Sequence, residues 1–164
     1  MQFNRSNLAP MMSNVALNSQ QIVPMTDAHL SQIRHIEHQV QDFPWSDKNL
    51  NEIQGRFDCH RVLLKAGRVL GFYYAQNIRG EVSLLNIAVT PLEQGHGYGK
   101  HLLSFLLDEM MQEQAESIWL EVRESNLKAI SLYEKLGFNE VTRRFDYYPS
   151  KKGKEDALVM TYSI

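Results

Sequence analysis

Three glycines at alternate positions, Gly95, Gly97 and Gly99 in the stretch QGHGYGK, lie between a strand-like run, VSLLNIAVTP, and a helix-like one, HLLSFLLDEMM. Glycine leaves neighbouring amides unshielded and admits φ > 0, so several N–H groups can converge on one anion. The helix that follows adds its own unsatisfied N–H groups and the positive end of its dipole. A phosphate is the guest such a loop predicts. On these residues alone a tight strand-to-helix turn is the competing explanation, and two common phosphate signatures fail on spelling. A Walker A loop needs Ser or Thr after Gly-Lys, but His101 follows Lys100, and Gln94 stands where its first glycine belongs. A Rossmann fingerprint needs G-x-G-x-x-G opening a βαβ unit, whereas G-x-G-x-G here follows an antiparallel-looking meander.

Two further side chains have the chemistry to move protons. Glu121 interrupts SIWLEV, in which Ile118, Leu120 and Val122 alternate with Trp119, a pattern that predicts a central strand covered on both faces. A carboxylate there reaches water at the strand end, pairs with a cation, or is partly desolvated. The last raises its pKa from about 4.3 toward the range a general base needs. Tyr133 sits on a helical face with Ala129, Ile130 and Leu136 beyond Asn126. A packed core tyrosine accounts for it by pattern alone, and a phenol of pKa about 10 is also a competent proton donor to a departing thiolate.

These residues require a scaffold, and the chain supplies one. A short strand in QIVPM precedes a helix carrying Leu30, Ile33, Glu37 and Val40, with Thr26 and Asp27 as cap candidates; FPWS breaks it, and Ser46 caps a second short helix that carries Leu50 and Ile53 and stops at Gly55. CHRVLLK, RVLGFYYAQ and EVSLLNIAV then predict a meander turned at Ala66-Gly67 and Arg79-Gly80. In LLNIAV the alternation fails at Leu85 and Asn86, which fits a bulge that frees the strand's edge, or a fully buried strand with one polar residue. Leu102, Leu103, Leu106, Leu107, Met110 and Met111 form a core-facing helical stripe. A strand, a helix from Asn126 to Gly137, and a closing hairpin complete a mixed α/β sheet of about seven strands flanked by about four helices.

With 164 residues the chain is read as a polar flexible tail over residues 1–20 and one domain over 21–164. Seventeen Lys plus Arg against nineteen Asp plus Glu give a net charge of −2, and nothing demands a nucleic acid as the main ligand. The lone Cys59 excludes an internal disulfide and fits a reducing cytoplasm, and no apolar run is long enough to span a membrane. His35 and His38 lack a third ligand, so no metal is expected.

The spelling that does fit is Q/R-x-x-G-x-G/A, met by Gln94, Gly97 and Gly99. It resembles the pyrophosphate loop of the Gcn5-related N-acetyltransferases (GNAT), which carry the acyl-CoA N-acyltransferase fold, a strongly bent mixed sheet. The resemblance covers about residues 21 to 164. FPWS, LLNIAVTP, SIWLEVRESNLKAISLYEKLGF and YYP…GKEDALVM are similar to successive blocks of the RimI-type branch, which acetylates the N-terminal alanine of a small-subunit ribosomal protein. One departure stands out: where the family often has Arg, after Gln94, this chain has Gly95 and then His96.

The resemblance implies acetyl-CoA as co-substrate, no metal, a cytoplasmic monomer or weak dimer, and direct transfer to an N-terminal α-amine with Glu121 as base and Tyr133 as acid. It places the coenzyme against Ile87, Ala88 and Val89, the loop Gln94, Gly95, His96, Gly97, Tyr98, Gly99 and Lys100, and Asn126. An α-amine of pKa about 7.7 to 8.0 is already about 10 to 20% neutral at pH 7, so a modest carboxylate base suits it better than a lysine. Phe43 and Trp45 on one side and Tyr147 and Tyr148 on the other are candidate walls of a peptide groove, with ordinary packing as the alternative. Arg143, Arg144, Lys151, Lys152 and Lys154 form a basic segment suited to solvent, an acidic partner or ribosomal RNA. Acetylation of a lysine or a small-molecule amine, and a non-catalytic acetyl-CoA sensor on the same fold, are the alternative functions. Retention of both Glu121 and Tyr133 weighs against the sensor.

Overall fold

The computed structural model describes residues 19–164. Most of the expected tail over residues 1–20 lies outside them, and Gln20, expected in that tail, opens the first strand. In chain order the elements are β1 (Gln20–Pro24), a 3-10 turn (Asp27–His29), α1 (Leu30–Val40), α2 (Asp47–Asn51), β2 (Arg61–Lys65), β3 (Arg68–Ile78) and β4 (Glu81–Val89). They continue as a 3-10 turn (Pro91–Glu93), α3 (Tyr98–Gln112), β5 (Ser117–Arg123), α4 (Leu127–Leu136), β6 (Asn139–Ser150) and β7 (Gly153–Ser163). Seven strands form one sheet in the order β1-β2-β3-β4-β5-β7-β6. Only the β4–β5 pair is parallel, joined by the α3 crossover.

Local chemistry explains the element ends. Ala66-Gly67 and Arg79-Gly80 take positive φ at both residues, the geometry of two-residue hairpin turns that match strand twist. The Ser46 hydroxyl accepts from Asn49 N–H at 3.2 Å to start α2, and Asn126 Oδ1 accepts from Ala129 N–H at 3.2 Å to start α4. Gly137, at φ 106°, closes α4.

The sheet carries a core on each face. Against α3 and α4 pack Leu70, Tyr73, Ala75, Val82, Leu84, Leu102, Leu106, Met110, Ile118, Leu120 and Tyr133; against α1 and α2 pack Ile33, Ile36, Leu50, Phe72 and Tyr74. Strand β3 serves both, because successive side chains point to opposite faces. Three expectations need correction. Met111 is exposed, since it falls beyond the edge of the α3 stripe that buries Met110. Ile53 lies past the end of α2, which is a single short helix of five residues. Strand β5 is buried on one face only: Ile118, Leu120 and Val122 are in the core, while Trp119 and Glu121 are partly open and face a groove.

Candidate active site

The site is created where two parallel strands part. Strands β4 and β5 pair from Glu81 opposite Ser117 only as far as Leu84 opposite Leu120. Beyond that point β4 follows β3, with Ile87 opposite Tyr73 and Val89 opposite Gly71, while β5 follows β7 as far as Arg123 opposite Ala157. The cause of the parting is a bulge. Tyr74 pairs with Asn86 and Ala75 with Leu84, which leaves Leu85 without a partner and bends β4 away. Ile87, Ala88 and Val89 therefore present an outer edge that no strand of the described residues covers.

A groove of about 610 Å³ runs along this edge. Its walls are Ile87, Ala88 and Val89, the glycine loop with Gln94, Gly95, Gly97, Tyr98, Gly99 and Lys100, and the near face of α4 from Asn126. Gly95 and Gly97 both have φ +82°, and a Cβ built on either would meet nothing within 4 Å. Conformation, not space, is what restricts these two positions to glycine. Gly99, by contrast, belongs to α3, which begins three residues earlier than the apolar run suggests. His101 N–H donates to Gly97 O at 3.0 Å as an early bond of that helix, and the amides of residues 98–100 remain without helical partners. Gln94 turns back, its Nε2 donating to Val89 O at 3.0 Å, so it fixes the loop to the end of β4. His96 does not line the groove; its ring turns toward Glu93, with Nδ1 3.1 Å from the Glu93 carbonyl.

On the α1/α2 face of the sheet a second groove, about 470 Å³, contains Glu121, Trp45, Tyr147, Tyr148 and Arg144, with Leu84, Leu85 and Trp119 as its floor. Of the alternatives open to Glu121, the structure shows the cation pair, at a partly open position. Its side chain is 27% exposed, and Arg144 Nε donates to Oε1 at 2.8 Å. It also holds the Tyr147 phenol above its ordinary pKa, through a hydrogen bond first, with burial and its charge adding to the effect. Tyr148 is pushed up to about 12, by burial first and then by the charges of Glu121 and Tyr147, while Arg123 opposes them. Arg123 lies 4.4 Å from the centre of the Tyr148 ring and 5.6 Å from that of Phe43. Phe43 thus joins the neighbourhood through Arg123 but does not line the groove.

Tyr133 projects from α4 and is 6% exposed. Its ring packs against Phe138 with centroids 5.8 Å apart, and no hydrogen bond holds its hydroxyl among the described residues. Burial first, and Tyr148 second, raise its pKa above the ordinary tyrosine range. Such a phenol keeps its proton until a strong base appears beside it.

Sequence reasoning passed over one residue that organises the site. Glu37 in α1 is 1% exposed; it accepts from Trp45 N–H at 3.1 Å and from Asn86 Nδ2 at 3.0 Å. It ties the loop carrying Trp45 to the bulged part of β4. The signal was present, an acidic residue on the apolar face of α1, but its partners are 8 and 49 positions away. The basic segment is mostly engaged: Arg143 faces Glu140 and Glu124, and Lys151 lies 3.6 Å from Asp42. Among the described residues no group of three or more His, Cys, Asp or Glu is placed to hold a metal, and no helix is long and apolar enough to cross a membrane.

Comparison with known proteins agrees with this geometry. The chain is 44% identical over 130 residues to the [ribosomal protein bS18]-alanine N-acetyltransferase of Escherichia coli K12, covering 79% of this chain and 88% of that one. It is 41% identical to the enzyme of the same name from Salmonella typhimurium, covering 90% and 99%. The crystal structure of the Escherichia coli ribosomal-protein-S18-alanine N-acetyltransferase superposes with a TM-score of 0.86 at 40% identity, covering 89% of this chain and 94% of that one. Arabidopsis thaliana NAA60 in complex with acetyl-CoA shares the fold, with a TM-score of 0.81 at 16% identity, covering 89% of this chain and 99% of that one. The model of the Acetyltransferase (GNAT) family matches residues 30–138, and the chain belongs to that family.

Proposed function

We propose that the protein transfers the acetyl group of acetyl-CoA to the N-terminal α-amine of a small-subunit ribosomal protein, an alanine amine as in the relatives named above. The observation that carries this reading is the parting of β4 from β5 with a groove on each side of the sheet, in a chain more than 40% identical to those relatives over most of its length. The residues of the first groove suit acetyl-CoA. Its polar arm can pair with the free edge of Ile87–Val89 as an added strand would, and its pyrophosphate can sit on the amides of the glycine loop and the start of α3.

The acceptor enters from the other side, between Trp45 and the Tyr147–Tyr148 pair. Its neutral amine attacks the thioester carbonyl; a C–N bond forms, the C–S bond breaks, and sulfur departs with the electron pair. Glu121 takes the proton lost by nitrogen, with Arg144 holding one carboxylate oxygen and the other left for the amine or a bridging water. The Tyr133 phenol gives its proton to the departing sulfur and regains one from water, which receives in turn the proton held by Glu121. Free coenzyme and an N-acetylated chain are the products, so atoms and charge balance. Incubation with labelled acetyl-CoA and peptides of varied N-terminal residue, beside a lysine peptide with a blocked N-terminus, tests the reading. Label is expected on N-terminal alanine; label on the blocked peptide alone would end the assignment.

A further inference from the structure

The loop that should hold a pyrophosphate carries no Arg or Lys from residue 91 to residue 99. The positive charge comes from elsewhere. Lys100 at the start of α3 and Lys128 and Lys135 of α4 all line the same groove. All three are exposed, and none is engaged in an ion pair among the described residues. The groove's one carboxylate, Glu93, is occupied by Arg68 at 3.4 Å and faces the His96 ring. Three ammonium groups around one groove repel one another until a polyanion enters it.

Their order along α4 assigns them. A Cβ on Gly99 would stand 3.6 Å from Leu132 Cδ2, so the first turn of α3, just after the glycine loop, meets α4 at Leu132. Lys128 is four residues before that point, toward Asn126 and the parting of the strands, and Lys135 is three residues after it. At 1.5 Å per residue these are about 6 Å and about 4.5 Å along the axis, on one face. With the thioester at the parting and the pyrophosphate at the loop, the ribose end of the coenzyme continues toward Lys135.

Resting on the coenzyme reading above, we propose that Lys135 is the residue that reads the ribose 3′-phosphate of coenzyme A, and that Lys128 neutralises the pyrophosphate in place of the cation missing from the loop. The test compares binding of acetyl-CoA and 3′-dephospho-acetyl-CoA by calorimetry in low-salt buffer, where exposed charges are least screened. The wild type is expected to bind acetyl-CoA about tenfold more tightly than the dephospho form, about 1.4 kcal/mol. Lys135→Gln should bring that ratio to about one and leave the dephospho affinity as in the wild type. Lys128→Gln should weaken both ligands by the same factor and keep the ratio. A ratio that survives in Lys135→Gln, is lost in Lys128→Gln instead, or is absent from the wild type overturns the proposal. Failure of the wild type to bind either ligand would instead reject the coenzyme reading on which it rests.

Discussion

The two grooves beside the parted strands are built by different means. The first is made mainly of backbone: a free strand edge, two glycines at φ +82° and the first turn of a helix. The second is made of side chains from distant parts of the chain, with Trp45 from the loop before α2, Glu121 from β5, and Arg144, Tyr147 and Tyr148 from β6. A backbone cradle recognises what all its ligands share, a phosphate or an amide. A side-chain groove recognises shape and charge, and is altered by single substitutions. One groove suits an invariant donor, and the other a particular acceptor.

That contrast can be broken in four places, in order of expected effect. Glu121→Gln keeps the shape of the acceptor groove and removes its base, so turnover should fall by about 10² to 10⁴ fold. A turnover and a pH-rate profile unchanged from the wild type would take Glu121 out of that role. Tyr133→Phe should lower turnover by about 10² fold while calorimetry finds coenzyme affinity unchanged. Because burial raises the phenol's pKa, its ionisation should not limit the wild-type rate until above the ordinary tyrosine range. An alkaline fall in rate nearer pH 8 that vanishes in the variant would contradict this.

The third place is the tie between the grooves. Glu37→Ala leaves Trp45 N–H and Asn86 Nδ2 without their acceptor, and should cost about 2 to 3 kcal/mol in urea unfolding. In what remains folded, KM for the peptide should rise more than the dissociation constant for acetyl-CoA, since Trp45 belongs to the acceptor side. Equal changes in the two would mean that Glu37 serves only stability. The smallest effect is expected at the loop. Gly95→Arg would add a cation to the loop, but it forces an L-residue into φ +82° at a cost of about 1 to 2 kcal/mol. Coenzyme affinity should therefore fall or stay level, and a gain of tenfold would show that the loop can refold around the new side chain.

What was legible in the sequence was local. The hairpin turns at Ala66-Gly67 and Arg79-Gly80, the caps at Ser46 and Asn126, and the break at Leu85 were readable because each depends on a few neighbouring residues. So was the spacing of the glycine loop. The environment of Glu121 was not, because Arg144 is 23 positions away and reaches it only through the pairing of β5 with β7 and β7 with β6. The open face of β5 was misread for the same reason: Trp119 makes the strand look covered on both sides, and only the packing shows that this face borders a groove.

The sequence by itself determined the hairpin turns and helix caps, which loop offers its amides, and which kinds of side chain are available for proton transfer, since backbone dihedrals and caps are set within a few residues. Only the tertiary structure decided that β4 leaves β5 after Leu84, that Glu121 opens to one groove while Tyr133 is buried on the other face, and that a buried Glu37 ties the two sides together. Those relations join residues far apart in the chain, and their energies come from burial and pairing that exist only once the sheet has formed.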